Sequence, residues 1–229
     1  MLSLALHDLR NSLSAIQLGL ELLGRRDSTS PQQQQQQPAS AVLAHMDSAA
    51  QRAQALTLEL EDLTRLAAGR TLPVSPVRCA LHTIVRDGLD ACRLIVPGVA
   101  VEHDRLGDGD CMGDPARMAQ FLNLALEELC AAATPAWVIV VSEVAGDRFR
   151  IAVHAEGAAG AAPAAGDSEA APARAQARRR VLLQAIAQAH GGTVDFEGGY
   201  ASGVRSIEGS FSRLADPLES ARPPAPKQD

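Results

Sequence analysis

Aromatic residues are scarce in this chain of 229 residues, at 3%, so its hydrophobic core must be mostly aliphatic. The sequence also lacks an excess of basic residues. Its formal net charge is −6 and its pI is near 5.5, which argues against nucleic acid as a main partner. No apolar run approaches the roughly 20 residues of a membrane span, and no signal peptide opens the chain. We therefore expect a soluble, cytoplasmic protein with no membrane partner and no sensor of its own.

The cysteines also exclude some classes of protein. The chain has four, and none forms a Cys-x-x-Cys pair or lies in a cluster with histidines. This spacing argues against a structural zinc site and against a disulfide framework, and it suits a reducing cytosol. We therefore expect no metal bound by the chain itself.

Two stretches near the N-terminus carry apolar residues at alternating spacings of three and four, which is typical of helices that pack as a coiled coil. The first stripe is Leu9, Leu13, Ile16, Leu20 and Leu23, and the second is Met46, Ala49, Ala53, Leu56, Leu60, Leu63 and Ala67. Because neither helix can bury its narrow stripe alone, we expect a homodimer in which two hairpins form a four-helix bundle.

Changes in composition divide the chain into four predicted segments. Residues 1–69 form the helical hairpin, with a low-complexity loop at 27–40 that contains six consecutive glutamines. A linker with two prolines follows at 70–78. The third segment, 79–217, mixes helix and strand patterns, and the proline-rich residues 218–229 are expected to be a disordered tail.

The mixed segment predicts an α/β sandwich with its helices on one face, so the fold class of the whole chain is α+β. Asp114-Pro115 is a typical helix start, with a capping residue followed by proline in the first turn. The predicted helices are 81–95, 114–133 and 178–190, the predicted strands are 137–144, 149–154, 193–197 and 204–214, and 155–175 is predicted as a flexible loop.

One histidine in the first predicted helix lies where its side chain could accept a phosphoryl group. When the apolar stripe forms the coiled-coil interface, His7 lies outside that interface and faces solvent. Asn11 lies one turn further along the helix on the same exposed side. A solvent-facing imidazole with a neutral ring nitrogen can accept a phosphoryl group, and the adjacent Asp8 could hold the proton of the other nitrogen. An ordinary surface histidine fits the same pattern, so spacing alone leaves both interpretations open.

The run His7-Asp8-Leu9-Arg10-Asn11-Ser12-Leu13 resembles the H-box of sensor histidine kinases, His-Asp/Glu-Leu-Arg-Thr/Asn-Pro-Leu, and matches six of its seven positions. The resemblance implies that His7 accepts phosphate, that Asp8 assists as acid or base, and that Asn11 orients water or a partner in dephosphorylation. We assign Arg10 and Ser14 to the surface that would bind a receiver domain. Ser12 departs from the usual proline, so the helix kink of the family is not expected here.

The mixed segment resembles the ATP-binding (GHKL-like) domain of the same kinases, but its nucleotide motifs are degenerate. Glu128 stands where the family has the magnesium-binding asparagine of the N-box. The stretch Ala155-Glu156-Gly157 stands where the family has Asp-x-Gly, so Gly157 remains and the adenine-reading aspartate is missing. Side chains at Ala177 and Arg179 replace the glycines that let the backbone approach phosphates.

These losses imply that ATP is not bound, although the fold can remain. Glu128 could still hold magnesium, and Arg178, Arg179 and Arg180 could pair with phosphates, but we favour a solvated basic helix start for the three arginines. His190-Gly191-Gly192 matches the end of the family's last motif.

The combination most resembles stand-alone histidine phosphotransferases of the ChpT type, and Gly19-Leu20-Glu21-Leu22-Leu23 after the H-box fits that group. The resemblance implies that His7 relays phosphate between the aspartates of receiver domains, which supply Mg²⁺. Two alternatives remain open. One is a divergent ATP-dependent histidine kinase, and the other is a non-enzymatic dimeric adaptor that binds response regulators.

Overall fold

The structure is a computed structural model that describes residues 11, 13–20, 39–95, 99–131, 135–157, 170–198 and 204–212. The chain divides into two compact units, Met1–Arg70 and Thr71–Asp229. Among the described residues, no helix combines the length and the apolar character needed to cross a bilayer.

The first unit contains two helices, of which α1 is described over 13–20 and α2 spans Ala39–Ala67. Gly19 is buried where the helices approach each other, since a Cβ at this position would overlap the Met46 side chain. Gly69, two residues beyond the end of α2, has a left-handed φ of 69°, and its amide donates to the carbonyl oxygen of Leu66. The buried residues of α2 are Ala49, Ala53, Leu56, Glu59, Asp62 and Leu63.

The second unit is built on a five-stranded sheet of order β2-β4-β5-β7-β6. β2 pairs with β4 in parallel, and the other neighbours are antiparallel. A separate two-stranded antiparallel sheet joins β1 and β3. The strands are β1 Val77–Ala80, β2 Ala100–Leu106, β3 Asp110–Gly113, β4 Trp137–Ala145, β5 Arg148–Glu156, β6 Thr193–Gly198 and β7 Val204–Ser212.

Three helices pack side by side on the five-stranded sheet, with α4 between the other two. They are α3 Leu81–Ile95, α4 Pro115–Cys130 and α5 Ala170–Ala189. The core beneath them is mostly aliphatic, as predicted, with an aromatic cluster in which Phe121 and Phe149 each lie 5.1 Å from Phe211 between ring centroids. The predicted α+β class and the sandwich are therefore confirmed.

The start of α4 is fixed by the residues that its sequence predicts. The Asp114 carboxylate accepts hydrogen bonds from the amides of Ala116 and Arg117 at 3.0 and 3.2 Å, and Pro115 occupies the first turn. The other carboxylate oxygen accepts from the Ser75 amide at 2.8 Å. This cap fixes the direction of α4, and α4 carries Glu128.

Several predicted boundaries are wrong. Strands β1, β2 and β3 were not predicted, and β1 begins inside the predicted linker 70–78. The predicted loop 155–175 is shorter at both ends, since β5 continues to Glu156 and α5 begins at Ala170. Helix α2 likewise begins within the predicted loop 27–40. Alanine is the strongest helix former, which is why the alanine-rich residues before Arg178 are helical in the structure. The tail 218–229 lies outside the described residues.

Candidate degenerate nucleotide site

The predicted acceptor site lies only partly within the described residues. His7, Asp8 and Arg10 are outside them, so the structure gives no geometry for these three side chains. Asn11 and Ser14 are helical and exposed. Their three-residue separation places them on one side of the helix. Both side chains can therefore be reached by a partner protein.

Glu128 is a buried carboxylate on the α4 face that packs against α5. Its side chain is only 4% exposed. Oε2 accepts a hydrogen bond from Nε of Arg179 at 2.9 Å, and Oε1 accepts from Nε of Arg180 at 3.1 Å. Both oxygens thus accept hydrogen bonds from guanidinium groups in the middle of α5, and the negative charge is matched by two positive charges.

The three consecutive arginines are not the solvated helix start that we favoured. Arg178 and Arg179 are buried, at 5% and 8% exposed. Arg180 is half exposed, and its guanidinium carbon lies 4.9 Å from the centroid of the Phe196 ring, a cation–π contact. The helix turns Arg179 and Arg180 toward Glu128 on α4, and Arg180 also contacts Phe196 on β6.

This arrangement changes what Glu128 can do chemically. A carboxylate binds Mg²⁺ through oxygens that are free to coordinate, and the ion holds its water shell tightly. Here a cation would have to displace two charge-assisted hydrogen bonds and leave the buried Arg179 without its partner. The residues present therefore do not fit a magnesium-bound nucleotide at Glu128.

The remaining positions that the resemblance assigns to the nucleotide motifs lie near the end of β5 and within α5. Gly157 follows β5, and the nearest atom to a Cβ built there is Cα of Pro135, at 3.9 Å. A side chain would fit at this position, so the backbone makes no close approach that requires glycine. Ala155 is buried on β5, whereas Ala177 is exposed on α5. Arg179, the last of these positions, forms the hydrogen bond to Glu128 described above.

The final motif, His190-Gly191-Gly192, has a structural role. His190 is completely buried, its Nδ1 lies 2.9 Å from the carbonyl oxygen of Ile186, and its Nε2 accepts the Asp114 amide at 3.3 Å. Nδ1 therefore carries the proton. Burial lowers the pKa of His190 and keeps the ring neutral. The histidine thus ties the end of α5 to the cap of α4.

The glycines of that motif are required by the backbone. Gly191 has a φ of 65°, and a Cβ on Gly192 would overlap the carbonyl oxygen of Ser210 on β7. The motif thus lets α5 end closely against the sheet, whether or not a nucleotide is bound.

A polar cluster that the sequence did not indicate joins α3 to the sheet edge. Oγ of the buried Ser142 on β4 lies 2.7 Å from Nδ1 of His82 on α3 and 2.7 Å from Nε2 of His103 on β2. One hydroxyl thus serves two imidazoles. Desolvation, followed by the nearby Arg105 charge, lowers the pKa of His103. No local signal could have found this cluster, because its members are far apart in sequence.

Comparisons with known proteins show a family match in the first unit and a likeness of fold over most of the chain. Residues 1–69 match the family model of the His Kinase A (phospho-acceptor) domain. No curated protein matches the sequence significantly. Among solved structures, histidine kinase AdeS of Acinetobacter baumannii is 17% identical with a TM-score of 0.54, and the match covers 91% of this chain and 98% of that one. A histidine kinase from Burkholderia phymatum STM815 is 20% identical with a TM-score of 0.52, covering 92% and 98%.

These similarities confirm the predicted kinase-type fold, with a helical N-terminal region followed by a five-stranded GHKL-like sandwich. Residues 1–69 thus match a phospho-acceptor domain model, and the fold of the chain is similar to that of solved histidine kinases.

Proposed function

We propose that the chain is a histidine phosphotransferase that relays phosphoryl groups between the aspartates of receiver domains through His7. A neutral ring nitrogen of His7 attacks the phosphorus of a receiver aspartyl phosphate. The N–P bond forms as the acyl P–O bond breaks, and the aspartate carboxylate leaves with the bonding electrons. A second receiver carboxylate then attacks phosphohistidine in the reverse sense. The receiver supplies Mg²⁺, and Asp8 holds the proton of the other ring nitrogen.

The observation that carries this proposal is the buried ion pair between Glu128 and Arg179. A histidine kinase needs a nucleotide site to phosphorylate its own histidine, and here two positions of that site are engaged with each other. A buried charge with a good partner is held strongly, because separating the pair leaves an uncompensated charge. The relay is thus supported by an ion pair between two side chains at positions that the resemblance assigns to the nucleotide site.

The surface of the first unit supports the homodimer that this function uses. In the single chain, the predicted seam residues Leu13 and Leu20 are 49% and 56% exposed, and Leu43 and Leu58 of α2 are 54% and 59% exposed. Leucine side chains this exposed on the described parts of these two helices favour burial against a partner. A second copy carries the same stripes and would complete a four-helix bundle.

The proposal is tested by incubating the full chain with receiver domains labelled on their aspartate, in the presence of Mg²⁺ and with or without ATP. We expect acid-labile label to move to the chain without ATP and then to a second, unlabelled receiver. His7→Ala should abolish the transfer. His45→Ala is the matched control, because His45 is an exposed histidine on α2 outside the H-box.

Three other results would contradict the relay. Labelling of His7 by ATP alone would make the chain a divergent kinase. Tight binding of receivers without any transfer, unchanged by His7→Ala, would make it an adaptor. Transfer that persists in His7→Ala would place the acceptor elsewhere.

A further inference from the structure

Two cysteines face each other across neighbouring strands of the second unit. β1 pairs with β3 in the register that sets Cys79 directly opposite Cys111, and their Sγ atoms are 3.5 Å apart. Directly opposed residues in an antiparallel pair have Cα atoms about 4.5–5.5 Å apart. A disulfide spans Cα separations of about 4.4–6.8 Å. The backbone therefore already has the geometry of a cross-strand disulfide, and only the side chains need to move.

The two thiols differ in access and in acidity. Cys79 is half-buried, whereas Cys111 is buried, at 5% exposed. The hydrogen bond from the Cys111 thiol lowers the pKa of Cys79, and the same bond raises the pKa of Cys111. Thiolates rather than thiols react with peroxides, and an accessible thiolate beside a second thiol is typical of redox-sensitive pairs. Cys79 is thus suited to react first and Cys111 to react second.

We propose that Cys79 and Cys111 are a peroxide-sensitive dithiol that closes to an intramolecular disulfide. The Cys79 thiolate attacks one oxygen of hydrogen peroxide, which breaks the O–O bond, gives Cys79 sulfenic acid and releases hydroxide. The Cys111 sulfur then attacks the Cys79 sulfur. The S–O bond breaks, and the leaving hydroxide takes up the Cys111 proton as water. Overall, two thiols are oxidised, and one peroxide is reduced to two waters.

The pair lies where a crosslink would fix a weak part of the fold. A two-stranded sheet is marginal by itself, and β1–β3 is separate from the five-stranded sheet. β1 ends immediately before α3, and β3 ends at Gly113, one residue before α4 is capped by Asp114. Oxidation would covalently join the strand that precedes α3 to the strand that precedes α4. It would also protect the β1–β3 amides from hydrogen exchange. This modification involves neither His7 nor Glu128, so its test is independent of the relay.

The test uses the folded full chain treated with hydrogen peroxide, followed by peptide mapping without reductant. We expect free thiols to fall from four to two per chain and a single crosslinked peptide that joins Cys79 to Cys111. Dithiothreitol should restore both thiols. Hydrogen exchange of the β1–β3 amides should slow in the oxidised chain.

Two serine variants distinguish a specific reaction between Cys79 and Cys111 from nonspecific oxidation of cysteines. Cys79→Ser should lose the crosslink, and its half-exposed position makes the substitution compatible with folding. Cys130→Ser is the matched control and should keep it, because Cys130 lies at the other end of α4, about 20 Å along the helix. Oxidation of Cys79 without bonding to Cys111 would overturn the proposal, and so would crosslinks that form equally with Cys130 or between chains.

Discussion

Glu128 on α4 and Arg179 on α5 are joined by a buried charge-assisted hydrogen bond, with 2.9 Å between Oε2 and Nε. In the kinase pattern these positions hold an asparagine and a glycine, and here both have become charged. Without Arg179 the buried Glu128 would keep only the half-exposed Arg180, and without Glu128 the buried Arg179 would lose its carboxylate partner. The two departures from the family pattern therefore compensate each other, which the sequence positions considered singly do not reveal.

Replacing one member of this pair should destabilise the second unit strongly. In Glu128→Gln the shape is retained, but the amide group places a donor against a guanidinium donor and leaves Arg179 uncompensated. We expect a loss of about 3–5 kcal/mol in the free energy of unfolding, measured by urea denaturation. The double variant Glu128→Gln/Arg179→Met should recover part of this loss, since the buried Arg179 charge is removed as well and only the half-exposed Arg180 loses its carboxylate partner. Arg180→Ala, at the half-exposed partner, should cost about 1 kcal/mol or less. Additive effects of the 128 and 179 substitutions would contradict the coupling.

Mg²⁺-ATP should not stabilise the wild-type chain. A nucleotide site with a Kd one hundredth of the ATP concentration would raise the stability by about 2.7 kcal/mol, because the ligand binds only the folded state. We expect the thermal midpoint to be the same with and without millimolar Mg²⁺-ATP, as followed by circular dichroism. A rise of several degrees would show that the ion pair opens to admit nucleotide and would favour the kinase alternative.

Gly192→Ala should destabilise the fold through a backbone overlap. The added Cβ meets the carbonyl oxygen of Ser210, and a backbone atom cannot move aside as a flexible side chain would. We expect a cost of about 1–3 kcal/mol, read from the urea midpoint. Gly146→Ala provides the comparison, because a Cβ there has open space and only the left-handed φ of 63° is unfavourable. If Gly146→Ala were the more harmful change, the close approach would not be the reason for glycine at 192.

Stability should fall as the pH drops below about 6.5, the ordinary pKa of histidine. His190 and His103 both have lowered pKa values in the folded chain, mainly through burial. Asp114 and Arg117 face His190, while Arg105, His82, Asp104 and Arg86 surround His103. Below pH 6.5 the unfolded chain takes up protons that the folded chain does not. The stability contributed by the neutral rings is therefore complete above this pH and is lost as the pH falls towards the folded pKa values.

The measurement for this pH effect is the urea midpoint between pH 7.5 and pH 5. His103→Gln should reduce the pH dependence, since its titrating group is gone. His45→Gln, on the exposed side of α2, should leave the dependence unchanged. A midpoint that does not change over this range in the wild type would contradict the assignment of neutral buried rings.

Elements with a strong local signal were predicted well. The period of apolar residues gave α3 as 81–95, and Asp114-Pro115 fixed the start of α4. β2 was missed because it is an edge strand, and four of its last five residues, Glu102 to Arg105, are polar or charged rather than alternating. The short β1 and β3 were missed because their pairing depends on partners 30 or more residues away, as in Cys79 opposite Cys111. Local periodicity carries no information about such partners.

The sequence by itself determined the mixed α+β class, and it predicts the H-box around His7, the coiled-coil stripes and the loss of the nucleotide motifs. Each of these depends on residues that are close together in the chain. Tertiary structure decided what replaced the lost motifs, because Glu128 and Arg179 are 51 residues apart and meet only when α4 and α5 pack together. It also decided which arginines are buried, which cysteines face each other, and that His190 holds a helix end. Those outcomes are set by the burial of charge and by strand register, which exist only in the folded chain.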